Sequence, residues 1–134
     1  MNARRVLTLR TSALMLLLFC ACWRSPAQQP MEGPIVRLAE LEIDPVQLEN
    51  YKAALREEID ASIRMEPGVL TLYAVALKDN PTHIRILETY TGMAAYKSHL
   101  ETPHFKKYKT ATQGMVKSLK LVETDPIMLG AKGK

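Results

Sequence analysis

Beyond residue 22 the chain has no cysteine. Its two cysteines, Cys20 and Cys22, both fall within the first 27 residues. A domain that starts after them has no disulfide, no thiol nucleophile and no thiolate metal site. Acidic residues are absent from those first 27 positions, whereas four of the 18 basic residues (Arg4, Arg5, Arg10 and Arg24) sit there. The remainder carries 14 basic and 14 acidic residues. The net charge of +4 therefore belongs to the leading segment and gives no reason to expect nucleic acid. There is also no glycine-rich phosphate loop, no GxSxG and no HExxH. Histidine is scarce: His83, His99 and His104 are the only three. His99 and His104 stand five apart across Pro103, which is not the spacing of a helical metal pair, and no metal or other cofactor is expected.

The first 27 residues do have the three-part pattern of an export signal. The arginines form a positive start, residues 13–21 (ALMLLLFCA) an apolar stretch too short to span a bilayer as a stable helix, and Ser25-Pro26-Ala27 a small-residue cleavage site. The expectation is a signal peptide over 1–27 and an exported product, periplasmic or secreted. Phe19-Cys20-Ala21-Cys22 partly matches a lipobox, so membrane attachment is expected only through a lipid on Cys22, the alternative being cleavage after Ala27. Residues 28–34 read as a flexible leader, and 126–134 as a C-terminal tail.

The domain between, residues 35–125, has a regular order of patterns. Ile35–Ile43 alternates as a strand, with Glu40 and Glu42 on one face. Asp44-Pro45-Val46-Gln47 combines a capping aspartate, a first-turn proline and a capping-box partner. Leu48, Tyr51, Leu55, Ile59 and Ile63 then mark the apolar stripe of a helix, which Pro67-Gly68 ends. Residues 69–77 (VLTLYAVAL) predict a second strand, apolar on both faces and so central or covered. Residues 78–82 make a hairpin turn, and His83–Tyr90 returns as a third strand. A short helix over 93–100 stops at Thr102-Pro103, where a cap and a first-turn proline start another helix that carries Phe105, Tyr108, Thr112 and Met115 on one face. Residues 119–124 are the last strand.

The order β-α-β-β-α-β predicts an α+β, ferredoxin-like split βαβ protomer. Helices would cover one sheet face and leave the other bare. That bare face is too apolar for water, which points to a homodimer packed sheet to sheet, with Leu72 expected in the interface.

Chemistry is expected where His99 and His104 bracket the helix break HLETPH. Free amides converge at such a restart, and an imidazole on each side could hold or deprotonate a polar ligand; the plainer reading is that the pair braces the kink. His83, beside a turn, is expected to face solvent. Glu88 and Tyr90 share a face of the third strand, and Tyr73 is expected to point into the same space. A carboxylate on an apolar sheet face must pair, with Arg37, Arg85 or a tyrosine hydroxyl, or line a cavity.

The stretches AELEIDP, EPGVLTLYAV and ILETYTGMAAYKSHLETPHFKKY resemble the antibiotic biosynthesis monooxygenase (ABM) superfamily over roughly residues 35–123. The nearest types are the quinol monooxygenases and the autoinducer-2 phosphate-processing isomerases. The resemblance implies a dimeric α/β barrel of ferredoxin-like protomers with a cavity between sheet and helices. It implies oxidation of a small aromatic or quinol-type ligand by molecular oxygen without flavin or metal. His99 and His104 would then be catalytic, and Glu88, Tyr90, Tyr73 and Tyr108 would contact substrate. Haem-degrading relatives carry asparagine, tryptophan and histidine where this chain has Leu41, Tyr90 and Lys109, which argues against haem. The motif does not separate oxygenation from isomerisation, and a non-catalytic dimeric binding protein is a third reading.

Overall fold

The computed structural model describes residues 33–132. The expected signal peptide, Cys20, Cys22 and most of the leader lie outside the described residues. Eight elements follow one another: β1 (Ile35–Ile43), a 3₁₀ turn (Pro45–Gln47), α1 (Leu48–Met65), β2 (Val69–Ala76), β3 (His83–Tyr90), α2 (Met93–Glu101), α3 (Pro103–Thr112) and β4 (Val116–Thr124). The sheet order is β2-β3-β1-β4. Every neighbouring pair is antiparallel, so β1 and β2 run the same way with β3 between them, the split βαβ arrangement. The α+β, ferredoxin-like reading holds. No described helix is long and apolar enough to cross a membrane.

Local signals explain most boundaries. Asp44 accepts a hydrogen bond from the Val46 amide at 2.9 Å and opens a 3₁₀ turn before α1 begins. Gln47 does not close a capping box; its side chain accepts from Asn50 instead. At the other end, Pro67 disfavours helical backbone at the residue before it, and Glu66 leaves the helix with φ −111° and ψ 102°. Gly68 is required by a close approach. A Cβ there would lie 2.5 Å from the Cβ of Ala95, so its absence lets α2 pack against the β2 entry. Thr102 caps α3 by accepting from the Phe105 amide at 3.3 Å, with Pro103 in the first turn.

Two expectations about facing need correction. β2 is an edge strand, not a central one. A register shift between Val69 and Thr71 also turns Leu72 toward the helices, where it is buried with Val69 and Tyr90. Leu72 is therefore core and not interface. Tyr73 points the other way, paired beside Leu87 on the open face, and is 62% exposed.

The core lies between the sheet and the helices. Ala39, Leu41, Ile43, Ile84 and Ile86 meet Tyr51, Leu55 and Tyr108 there. The buried side of α1 is Tyr51, Leu55, Glu58 and Ser62, whereas Ile63 is half-exposed. The helix is thus rotated from its apolar stripe so that one carboxylate and one hydroxyl face the interior. β4 starts three residues earlier than its pattern predicts, at Val116, which pairs with Ile43 before an irregularity at Lys117.

Candidate active site

The polar groups of this interior converge on His99. Its ring is 3% exposed and is boxed by Phe105 and Tyr90, at centroid distances of 4.6 and 5.5 Å. Nδ1 lies 3.0 Å from Glu66 Oε1. The same oxygen lies 2.6 Å from His104 Nε2. On its other side, His99 Nε2 is 3.7 Å from Glu58 Oε1, which accepts the Ser62 hydroxyl at 2.7 Å. Three chain segments meet here: the end of α1, the end of α2 and the start of α3.

The environments of the carboxylates differ. Burial pushes Glu58 up, only partly offset by the Ser62 hydrogen bond and the nearby histidines. Burial likewise raises Glu88 against the Tyr90 hydrogen bond. At Glu66 burial also pushes upward, but hydrogen bonds from His104 and His99 outweigh it and hold the carboxyl below its ordinary value. Carboxyls of both kinds within one site are the usual condition for moving protons.

An interior cavity of about 90 Å³ is lined by Glu58, Glu88, His99, Phe105, Tyr108 and aliphatic side chains from the middle of β1 and β4. Its rim is β4, where Leu119 and Leu121 are 44% and 50% exposed. Tyr90 donates to Glu88 Oε2 at 3.1 Å and stands behind it, with its own ionisation pushed far up by burial. Tyr108 reaches the cavity, and its hydroxyl is 2.6 Å from that of Tyr51. A larger concavity, about 930 Å³, runs instead along α1 and the β2 edge. It holds no histidine and none of the raised carboxylates, so the chemistry belongs to the smaller interior space.

The sequence-derived residues thus divide. His99, Glu88 and Tyr108 line one cavity, and Tyr90 supports it. His104 does not line that cavity but a separate recess with Glu57, Glu58 and Lys107, touching the site through Glu66. Tyr73 is remote. Among the charged residues, Glu40 is 3.7 Å from Arg85, the pairing anticipated for a carboxylate on the sheet. Arg37 is 3.6 Å from Glu123 and lies over the Tyr96 ring. Glu58 and Glu66 were missed. Glu58 follows Tyr51 by seven residues, the spacing of a shared helix face, and Glu66 precedes the proline that ends the helix.

Glu66, His99 and His104 each offer one ligand atom, all within 4.8 Å of one another. Two imidazoles and a carboxylate suit a divalent transition metal, a grouping hidden while only the two histidines were considered. The separations of 2.6 and 3.0 Å are equally those of charge-assisted hydrogen bonds.

This fold, with its cavity between a four-stranded sheet and the helices, defines a class. The family model for antibiotic biosynthesis monooxygenases matches residues 34–111, and the chain belongs to that family. A crystal structure from Bacteroides thetaiotaomicron VPI-5482, described as a candidate antibiotic biosynthesis monooxygenase, is 55% identical with a TM-score of 0.73, the match covering 76% of this chain and 97% of that one. A candidate monooxygenase from Lactobacillus acidophilus NCFM is 32% identical with a TM-score of 0.66, over 67% of this chain but only 43% of that one. A structure from Caulobacter crescentus CB15, 22% identical with a TM-score of 0.69 over 73% of this chain and 93% of that one, shares the fold. No curated protein matches the chain.

Proposed function

We propose that this family member is a cofactor-independent monooxygenase of a small quinol or phenol, with His99 as the group that takes the substrate's proton. One observation carries the reading: a buried imidazole lines an apolar cavity together with two carboxyls, Glu58 and Glu88, and its Nε2 is 3.7 Å from the first of them. Removing the hydroxyl proton gives a phenolate, which reduces oxygen far more readily than the phenol does. The apolar walls then keep water from the intermediate.

The chemistry balances without an external reductant. The O–H bond breaks and its proton goes to His99 Nε2. The electron-rich ring carbon forms a bond to dioxygen, and the distal peroxide oxygen takes the proton back. The ring C–H bond at that carbon and the O–O bond then break together: the C–H electron pair forms the new carbonyl, the proton joins the departing hydroxide as water, and the quinol is left oxidised to a hydroxyquinone. All the electrons that reduce O₂ come from the quinol, one pair through the new carbon–oxygen bond and one pair through its oxidation to the quinone level.

The cavity, at about 90 Å³, is below the roughly 300 Å³ of common ligand pockets. It favours a single-ring substrate that enters past Leu119, Leu121 and Lys109. The protein would act as a homodimer, supported by exposed Tyr73, Val75 and Leu87 on the open face and by exposed Ile127 and Met128 in the tail. The export pattern of residues 1–27 adds a site of action outside the cytoplasm.

The second reading is isomerisation of a small carbonyl compound, favoured by the flanking of one imidazole by Glu58 and Glu66, a set able to move protons without oxygen. Oxygen uptake over a panel of single-ring quinols, with autoxidation subtracted, separates the two. Saturable uptake lost in His99→Ala supports the oxygenase; isomer formation under argon with no uptake overturns it.

A further inference from the structure

The two ring nitrogens of His99 meet different surroundings. Nδ1 is 3.0 Å from Glu66 Oε1 and 3.3 Å from Oε2. Nε2 has Glu58 at 3.7 Å, outside hydrogen-bonding reach. An ionised carboxylate only accepts, and Glu66 Oε1 has a ring nitrogen of each histidine within hydrogen-bonding distance. Because His104 Nε2 also approaches Oε1, at 2.6 Å, both rings must present an N–H to the same oxygen.

We propose that Glu66 is a positioning residue, fastened by His104, that fixes His99 as the Nδ1–H tautomer and leaves Nε2 as the basic nitrogen beside the cavity. The opposite tautomer would offer the substrate hydroxyl a donor where an acceptor is needed, and no proton could be taken. This inference rests on the reading of His99 as the proton acceptor, but the tautomer is measurable without any substrate.

Each part of the arrangement has a structural cause. Pro67 forces Glu66 out of the helix and the turn directs its carboxylate back under α2. The cap at Thr102, whose hydroxyl also donates to the His99 carbonyl at 2.8 Å, sets the angle between the helices that carry the two histidines. His104 is mostly covered but lines a different recess, so its service to the site is to give the carboxylate a second donor and stop it turning. When Nε2 takes the substrate's proton, Nδ1–H stays on Glu66, whose negative charge stabilises the imidazolium. Glu66 itself gains no proton, as with the aspartate of a serine-protease triad.

Nitrogen-15 NMR of histidine-labelled protein, above the pH at which the ring protonates, tests this. Wild-type His99 is expected as the Nδ1–H tautomer. Glu66→Gln presents one accepting and one donating group in place of two acceptors, so the preference is expected to collapse toward a mixture or to reverse. Where a single-ring quinol is turned over, the same variant should lose about a hundredfold or more in kcat, the lower end of what a positioned base supplies, with Glu66→Asp partly restored. An Nε2–H tautomer in the wild type overturns the proposal, as does an unchanged Nδ1–H tautomer in Glu66→Gln. If Glu66→Gln does not fold, the wild-type spectrum alone decides. The expected tautomers with no oxygen uptake would leave the positioning role standing and remove the oxygenase reading. Uptake that needs His99 in an Nε2–H ring would do the reverse.

Discussion

Glu66 and His99 are separated by 33 residues of sequence and by 3.0 Å in space. One ends α1 and the other sits in the last turn of α2. Their contact joins the first βαβ half of the domain to the second beside the cavity that His99 lines. The residues that hold this junction are therefore as consequential as those that face the cavity.

Gly68 is the first test of that junction. Gly68→Ala puts a methyl 2.5 Å from the Ala95 Cβ, so α2 must shift. Overpacking of this kind costs about 1–3 kcal/mol, and His99 moves with its helix. The expected result is a lower melting temperature and reduced activity, with Ala95→Gly restoring much of both. Calorimetry on the single and double variants checks the coupling.

The Tyr51–Tyr108 pair is a second test. Their hydroxyls are 2.6 Å apart in the core, and burial pushes the Tyr51 hydroxyl up to about 12. Tyr108→Phe leaves a buried hydroxyl without this partner, at a cost of about 1–3 kcal/mol. The double change to phenylalanine should cost less than the sum of the two single changes. Denaturant unfolding of the four proteins measures the difference.

Glu58 predicts a pH-dependent stabilisation. Its folded-state value is raised above the ordinary 4.5, chiefly by burial. Ionising it in the fold therefore costs stability. That cost is absent well below 4.5, grows as pH rises through the folded-state value and is complete above it. Glu58→Gln keeps an acceptor for Ser62 and removes the charge. It should melt higher than wild type at pH 8 and alike at pH 4, which thermal melts at the two pH values will check.

The proposed homodimer would use the open sheet face, where Tyr73, Val75 and Leu87 are exposed. Val75→Asp should give a folded monomer, whereas Leu72→Asp, a buried charge beneath the helices, should unfold the protomer. Sedimentation velocity together with circular dichroism distinguishes these outcomes. A dimeric Val75→Asp protein would move the interface elsewhere.

Much of the fold was legible because its signals are local. Asp44-Pro45, Pro67-Gly68 and Thr102-Pro103 each mark a boundary through backbone chemistry that operates whatever the tertiary surroundings. Facing was less legible. The register shift between Val69 and Thr71 reverses which side of β2 is buried, and no strand pattern distinguishes that when both faces are apolar. The site was half legible. His99, Glu88 and Tyr108 were found from motif and face, but Glu58 and Glu66 were not. A carboxylate on a helix reads as solvated surface until the packing angle of the helix is known. His104 was expected to be catalytic with His99 because the two bracket the helix break and match the family pattern; in the structure it touches the site through Glu66 and lines a separate recess.

In the proposed reaction His99 activates a substrate which then receives one atom of dioxygen without an outside reductant. Turnover of a single-ring quinol under ¹⁸O₂, read by mass spectrometry, tests this most directly. The expected result is one labelled oxygen in the hydroxyquinone, none added from labelled water in the matched experiment once exchange is corrected for, and loss of the product in His99→Ala. Product that carries only water-derived oxygen, or labelled product formed equally well by His99→Ala, would contradict it.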